Sequence, residues 1–400
     1  VEIQKEEYGG EMEMSNVFLE KELNRRDFLR LSAGAAAALT VGTVIPTAGM
    51  AKGINVGVTK MSLADCIKLG PAAMAEKSDM VKKGYDYLLK CSSQISDNTI
   101  RNVAIEGLKN PVPKLMELYP TDNEKEVVKR KLVDAGYLKD DVTYNQFLPP
   151  CKGPNINVQP FYTAPGSGWK SHHAYPGGLV THVAVDMKTA LGIYDAYYDI
   201  YGYHMNKELI ISAILIHDIQ KAWVLQWKED GSCLPEVNIA GTGVHHVLAI
   251  ADTIYRGLSP ELIVAIACSH NHPGWAADEA QVVGWIKAAC IMVDKNPVKF
   301  GLLGSDGNTL PLPRRQEGFM VHLGDHDYVL TAPAANWMVA KLSEIAKKDY
   351  GMSDEDLKGK VFNAFRNYLF SQISVKRLHQ VWVESGENIL GETVKSIISL

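Results

Sequence analysis

The sequence predicts an all-α fold, and three observations carry that reading. Apolar residues recur at three- and four-residue spacing through most of the chain beyond residue 60, the pattern of one buried helix face. Between residues 179 and 297 no run of alternating apolar and polar residues is long enough for a sheet. Helix punctuation stands where the periodicity starts and stops, as at Ser259-Pro260-Glu261 and at Pro297. With 46% apolar and 22% charged residues, a chain of 400 residues has a globular balance and length enough for one large domain or two.

Residues 1–51 read as an address. Asn24-Arg25-Arg26-Asp27-Phe28-Leu29-Arg30 precedes residues 31–51, which lack charge and are rich in Ala, Gly and Thr. The paired arginine, the Phe-Leu step and the weakly apolar stretch resemble a bacterial twin-arginine export signal. Gly49-Met50-Ala51 offers small residues for cleavage, and the acidic leader before Asn24 leaves Met12 or Met14 as alternative starts of translation. Pro46 and the shortage of Leu, Ile and Phe make this stretch a poor spanning helix, so no membrane span is expected in the mature chain. The expected location is periplasmic or otherwise extracytoplasmic. That route carries folded proteins, so a metal can be inserted before export.

Residues 52–150 read as a helical N-terminal extension with polar faces. Residues 77–90 end in Tyr85, Tyr87, Leu88 and Leu89; residues 100–108 are apolar at helical spacing; residues 125–138 mix charge with Val127, Val128 and Leu132. A Gly/Pro-rich passage over 149–178 predicts a long irregular loop, and loops of that length are often functional.

Residues 151–300 hold the strongly apolar helices. Leu179, Val183, Met187, Ala190, Leu191 and Tyr194 mark one face. Residues 209–216 are apolar all round, as expected of a buried central helix. Val244, Val247, Leu248, Ala251, Ile254, Tyr255 and Leu258 mark another face, and a further helix is predicted over 278–293. Trp223, Trp227, Trp275 and Trp285 read as core or pocket wall.

Residues 301–400 read as a helical C-terminal extension: a short hairpin over 318–330, then helices over 334–347, 354–369 and 372–384. Their amphipathic character fits an interface, with a second copy or a partner subunit, or a lid. Arg314-Arg315 reads as surface.

Charge bounds the partners. The chain carries a formal −5, and without residues 1–51 it holds 36 basic against 38 acidic residues. A near-neutral mature chain lacks the basic face of a nucleic-acid binder, whereas a small anionic substrate stays compatible with it. The six cysteines form no C-x-x-C pair, which speaks against a zinc knuckle. Cys268 and Cys290 read as buried thiols, and Cys66, Cys91 and Cys151 are the candidates for one disulfide if the compartment is oxidising.

The chemistry is concentrated in the histidines, most of which fall between residues 172 and 272. Imidazole and carboxylate offer lone pairs to a metal at neutral pH. His182 sits on the first apolar helix, His217-Asp218 closes the buried one, and His245-His246 opens the next. His270 and His272 follow the fourth helix, and Asp294 ends the fifth. Each helix thus brings one ligand group near an end, so the groups can meet in a bundle. A His-Asp pair on a wholly apolar helix is costly unless its polar atoms are satisfied, and coordination would satisfy them. His322-Leu323-Gly324-Asp325-His326-Asp327 is a second run of ligand types, read as a solvated turn rather than as part of the site.

The order His, His-Asp, His, His, Asp resembles the HD-domain metal-dependent phosphohydrolases. His172-His173-Ala174-Tyr175-Pro176-Gly177-Gly178-Leu179-Val180-Thr181-His182 is similar to the segment that opens HD domains of the bacterial exoribonuclease type. Leu215-Ile216-His217-Asp218-Ile219-Gln220-Lys221 is similar to the family's His-Asp-Ile-Gly-Lys, with Gln220 in place of the glycine. Ser269-His270-Asn271-His272-Pro273-Gly274 resembles a later Ser-His-His-Gly turn with an insertion.

The resemblance spans about residues 171–298 and implies an HD-domain helical bundle over 151–300, flanked by the two helical extensions. It also implies two divalent transition metal ions, iron, manganese or zinc. His182, His217, Asp218 and Asp294 would hold one, and Asp218 would bridge to a second held by His246 and His270. Adjacent histidines leave open whether His245 replaces His246 and His272 replaces His270. Two such ions activate a hydroxide and clamp a phosphoryl group. Lys221 would stabilise phosphoryl oxygens, and His172 and His173 would contact the substrate or protonate the leaving group.

Three functional readings stay open on these residues. The first is an exported metal-dependent phosphohydrolase acting on a small phosphorylated substrate, a nucleotide among the candidates. The second is a mixed-valence di-iron oxygenase, since the same six ligands serve HD-fold proteins of that kind. The third is a non-catalytic metal-binding subunit, which Gln220 and the altered Ser-His-Asn-His turn favour.

Overall fold

Capping side chains explain where the first helices begin. In this computed structural model, which describes residues 57–151 and 158–400, the N-terminal part forms α1 (Leu63–Lys68), α2 (Pro71–Glu76), α3 (Asp79–Ser92), α4 (Asn98–Lys109), α5 (Asp122–Asp134) and α6 (Tyr144–Phe147). Asp97 caps α4, and reciprocal boxes of Thr121 with Glu124 and Thr143 with Gln146 open α5 and α6. Ser78 accepts from the Val81 amide to cap α3. The export signal lies outside the described residues, as does the Lys152-Gly153-Pro154 part of the predicted loop.

The remaining chain forms α7 (Gly178–Tyr201), α8 (Lys207–Ile216), α9 (Lys221–Val224), α10 (Val244–Tyr255), α11 (Pro260–Ala267) and α12 (Ala276–Met292). It continues with α13 (Glu317–Gly324), α14 (Tyr328–Tyr350), α15 (Lys360–Ile373) and α16 (Val375–Ile397). Extended structure among the described residues is confined to two-residue strands. β1 (Met61–Ser62) pairs in parallel with β4 (Ile398–Ser399), and β2 (Asn238–Ile239) pairs antiparallel with β3 (Thr242–Gly243). The fold is all-α, and the described residues form one compact unit. No helix among the described residues is long and apolar enough to cross a membrane.

The centre of the unit is α8. Every residue from Leu209 to Ile216 is buried, as an apolar circumference requires, and α7, α11 and α13 pack around it. Its start is fixed by Asn206, whose Oδ1 accepts from the Leu209 amide and whose own amide donates to Glu317 on α13. α7 is buried over its first half and runs into solvent at Tyr197, Tyr198, Ile200 and Tyr201.

Close backbone approach sets the two contacts that matter most for the site. The loop before α7 folds back on that helix: Gly166 N–H donates to His173 O at 2.9 Å and Leu179 N–H donates to Ala164 O at 3.0 Å. A Cβ on Gly178 would lie 1.9 Å from His173 O, and Gly177 has φ +79° beside Val81. At the far side, a Cβ on Gly324 would lie 2.8 Å from Asp186 O, so α13 rides directly on the α7 backbone.

α15 braces the loops. Arg366 stacks on Trp169 and donates to Ala174 O at 3.1 Å, while Asn363 and Asn367 donate to Asp230 O and Gly231 O. Ser78 donates to Ser371 O at 2.6 Å, which ties α3 to the same helix.

Three expectations are corrected. The hairpin over 318–330 is the helix α13 and the start of α14. Glu317, Gly318, Met320, Val321 and Gly324 share a buried face, which is a helical spacing. The candidate disulfide does not form among the described cysteines: Cys66 is buried against Ala364 O on α15, and Cys91 is buried on α3 beside Tyr87. Trp275 is 74% exposed, and it is neither core nor pocket wall.

Gly324→Ala is expected to lower stability by about 1–3 kcal/mol, because the added methyl must push α13 off the α7 backbone. Urea unfolding of the full chain checks this, with Gly192→Ala, which would meet no neighbouring atom and has no left-handed backbone, as the control for the contact.

Candidate metal centre

Each ligand-type side chain of the centre stands at a helix end or just inside one. His182 lies in the buried half of α7, and His217 and Asp218 occupy the turn that ends α8. Lys221 opens α9 and His245 lies in the first turn of α10. His270 follows α11, and Asp325 follows α13. Because α8 is sealed on all sides, its C-terminal turn is the place where neighbouring helices can present polar groups to one another.

These groups form two clusters that share one carboxylate. His182, His217, Asp218 and Asp325 offer ligand atoms within 4.8 Å of one another, and so do Asp218, His245 and His270. Asp218 Oδ2 lies 3.0 Å from His182 Nε2 and 3.4 Å from His217 Nε2, while its Oδ1 lies 3.4 Å from His245 Nε2. Asp325 Oδ1 is 3.1 Å from His182 Nε2, and Asp325 Oδ2 is 3.9 Å from His270 Nε2. The two acids therefore face both clusters.

Behind the clusters, three of the four imidazoles have their other nitrogen hydrogen-bonded, and that of His182 stands beside a buried acid without a hydrogen bond. His182 Nδ1 is 3.4 Å from the buried carboxylate of Asp186, and His217 Nδ1 donates to Ile214 O at 2.9 Å. His245 Nδ1 bonds to Glu236, and His270 Nδ1 is 2.8 Å from Thr242 Oγ1. All four rings aim Nε2 inward, the orientation that a metal ligand requires.

The electrostatics favour bound positive charge. Burial alone would raise the pKa of Asp218, yet His217 and Lys221 hold it well below the usual carboxylate range. Asp325 is likewise held down against burial, by His182 and His217. Burial pushes His182 down, but Asp186, Asp218 and Asp325 outweigh it and lift it to about 10. Lys221 Nζ sits 2.6 Å from Asp218 Oδ2 and 3.2 Å from His182 Nε2, and its pKa is raised by Asp218 and Asp325 in spite of burial. Buried His217 Nε2, Asp218 Oδ1 and both Asp186 oxygens have no hydrogen-bond partner among the described residues. An unpartnered oxygen on ionised Asp218, ringed by imidazole nitrogens, fits a divalent transition metal as donor set and as charge.

A cavity of about 450 Å³ opens onto the clusters. His172, Lys221, Trp285, His326 and Tyr328 form its walls, with Ser167, Gly168 and Ser171 at the loop side. His172 Nδ1 is 2.7 Å from His173 Nδ1, and His173 Nε2 lies 3.4 Å from Asp327 Oδ2. Burial, reinforced by His182 and Lys221, lowers His172 to about 3, so its ring is neutral.

The structure therefore brings His182, His217, Asp218, His270, Lys221, His172 and His173 together, and it does not bring Asp294 or His246. The Asp294 side chain is 95% exposed and pairs with Lys131 at 3.7 Å, because α12 ends on the outer surface. Asp325, from the run read as a solvated turn, stands in the cluster instead. His246 is a core residue: its Nε2 donates to Ala267 O at 3.1 Å, and its ring stacks on His270 with centroids 4.1 Å apart. His245 faces the cluster in its place, one residue earlier on the same turn. His272 packs against Phe319 and His322 and does not line the cavity. Sequence reasoning missed Asp186, Glu236 and Asp325. The i, i+4 spacing of His182 and Asp186 on one apolar helix could have flagged the first.

Comparison with known proteins gives two matches. The family model for the twin-arginine translocation pathway signal sequence matches residues 22–42. Those residues carry an export signal. A dihydroneopterin 2',3'-cyclic phosphate phosphodiesterase from Methanocaldococcus jannaschii is 30% identical over 185 residues, 46% of this chain. The chain spans 58% of that relative's length. No solved structure matches.

Adding Zn2+ or Mn2+ to chain stripped of metal is expected to raise the Tm, since a ligand of the folded state alone stabilises it by about 2.7 kcal/mol at a hundredfold excess over Kd. Differential scanning calorimetry checks this. Asp325→Ala should reduce the shift sharply, and Asp294→Ala should leave it unchanged.

Proposed function

We propose that this chain is an exported metal-dependent phosphohydrolase of HD type that holds two divalent transition metal ions and cleaves a phosphodiester in a small molecule. One observation carries the reading: the two oxygens of Asp218 face different histidine clusters, as a carboxylate bridging two cations must. The relative's cyclic phosphate substrate supports a diester, and the export signal supports action outside the cytoplasm.

His182, His217, Asp218 and Asp325 would hold one ion, and Asp218, His245 and His270 the other. When bound, the pair would supply Lewis acidity toward a phosphoryl oxygen and acidify the attacking water. The chain's own residues do the rest. Lys221 brings a fixed positive charge next to Asp218, where phosphoryl oxygens would come to lie. His172 lines the cavity as a neutral ring, and with Nδ1 engaged by His173 it keeps Nε2 for a hydrogen bond to a substrate oxygen. Asp327 in turn holds His173 from behind. Trp285 and Tyr328 offer ring faces to the organic part of the substrate.

Elemental analysis of the natively loaded full chain tests the reading, with about two equivalents of iron, manganese or zinc expected and both lost in Asp218→Ala. Hydrolysis of bis(p-nitrophenyl) phosphate and of a nucleoside 2',3'-cyclic phosphate should accompany the metal. A folded, natively loaded chain with no metal would overturn it. So would two equivalents of iron with oxygen consumption and no phosphoester turnover. His172→Ala is expected to raise KM by about tenfold, the loss of roughly one hydrogen bond to the substrate, and steady-state kinetics on the two substrates check this.

A further inference from the structure

The four candidate histidines are oriented by different kinds of structure. His182 and His217 are backed from within the bundle, by Asp186 on α7 and by a backbone carbonyl of α8. His245 and His270 are both backed from one small hairpin. Glu236, just before β2, accepts from the His245 amide at 2.8 Å and also bonds to its Nδ1. Thr242, the first residue of β3, has its hydroxyl 2.8 Å from His270 Nδ1.

The hairpin is anchored independently of the imidazoles. Ile239 is fully buried, Ala240 N–H donates to Tyr137 O at 2.7 Å, and Trp285 Nε1 donates to Ala240 O at 3.1 Å. Val244 N–H closes it by donating to Val237 O at 2.9 Å. Its turn uses two left-handed residues, Ala240 at φ +52° and Gly241 at φ +82°, as a two-residue hairpin loop with the right twist requires. An element held on four sides by backbone and core contacts presents Glu236 and Thr242 at fixed positions. It can therefore hold two rings that come from different helices, α10 and the turn after α11.

We propose that residues 236–243 are a positioning clamp for the second metal position only, in which Glu236 and Thr242 hold His245 and His270 with Nε2 turned to the ion. The proposal rests on the two-cation reading above. Glu236 and Thr242 touch no ion themselves; they act through the two imidazoles. Glu236 holds His245 by two bonds, to its amide and to its ring, so it has the larger effect of the two.

The test is equilibrium titration of the full chain, stripped of metal, with Zn2+ against a competing chelator. Wild type is compared with Glu236→Gln and Thr242→Val, both close to isosteric, and with Asp186→Asn as the counterpart on the first position. Loss of an orienting partner typically weakens metal binding by about 10- to 100-fold. Glu236→Gln and Thr242→Val should each weaken one equivalent within that range and leave the other unchanged, with unaltered far-UV circular dichroism. Asp186→Asn should weaken the equivalent that these two spare. Unchanged affinity for both equivalents in Glu236→Gln and Thr242→Val, or equal weakening of both equivalents, would overturn the clamp. Fewer than two equivalents in wild type would overturn the two-cation reading itself, a result distinct from either.

Discussion

The Asp218 carboxylate is the constraint on which the rest depends. It is 1% exposed, at the end of a helix with no polar face, and it is held ionised. An ionised acid in such a place is destabilising unless opposite charge and hydrogen bonds surround it. His182, His217, His245 and Lys221 come from α7, the end of α8, α10 and α9, and all reach its two oxygens. The packing of four helices is thereby coupled to one side chain, and the apolar bundle is organised around a polar point.

Apolar packing brings those helices close, and small residues let them come closer. Gly324 allows α13 to lie on the α7 backbone, and that contact delivers Asp325 to a cluster whose other members lie far earlier in the chain. Gly177 and Gly178 do the same for the loop that carries His172 and His173. The C-terminal helices then act as a brace: Arg366 on α15 holds that loop through Ala174 O and through the face of Trp169. The last hundred residues are thus part of the site's construction, contributing Asp325, His326 and Tyr328 to its wall.

A site assembled from so many elements forms only when the whole unit has folded. Export by a route that accepts folded chains is consistent with that requirement. The order of support around the site also has a physical logic. The imidazoles deepest in the bundle, His182 and His217, are held by groups of the helices themselves, whereas those nearer the cavity are held by a hairpin.

Much of this was legible in the residues alone. Helical periodicity gave the all-α class and the helices α7, α8, α10 and α12, because a buried face must recur with the helix repeat. The paired arginines and the weakly apolar stretch after them identified the signal. His-Asp at the end of a wholly apolar helix marked the centre of the site, since such a pair is tolerable only when satisfied. What the sequence left open was decided by rotation and distance. His245 and His246 are neighbours on one turn, about 100° apart around the axis, and only the orientation of α10 in the bundle selects the one that faces the cluster. Asp294 and Asp325 are equal in chemistry, and only the packing of α12 and α13 puts the first in solvent and the second against His182. Local pattern records which face of a helix is buried; which polar group at its end meets a partner from another helix is fixed by tertiary packing.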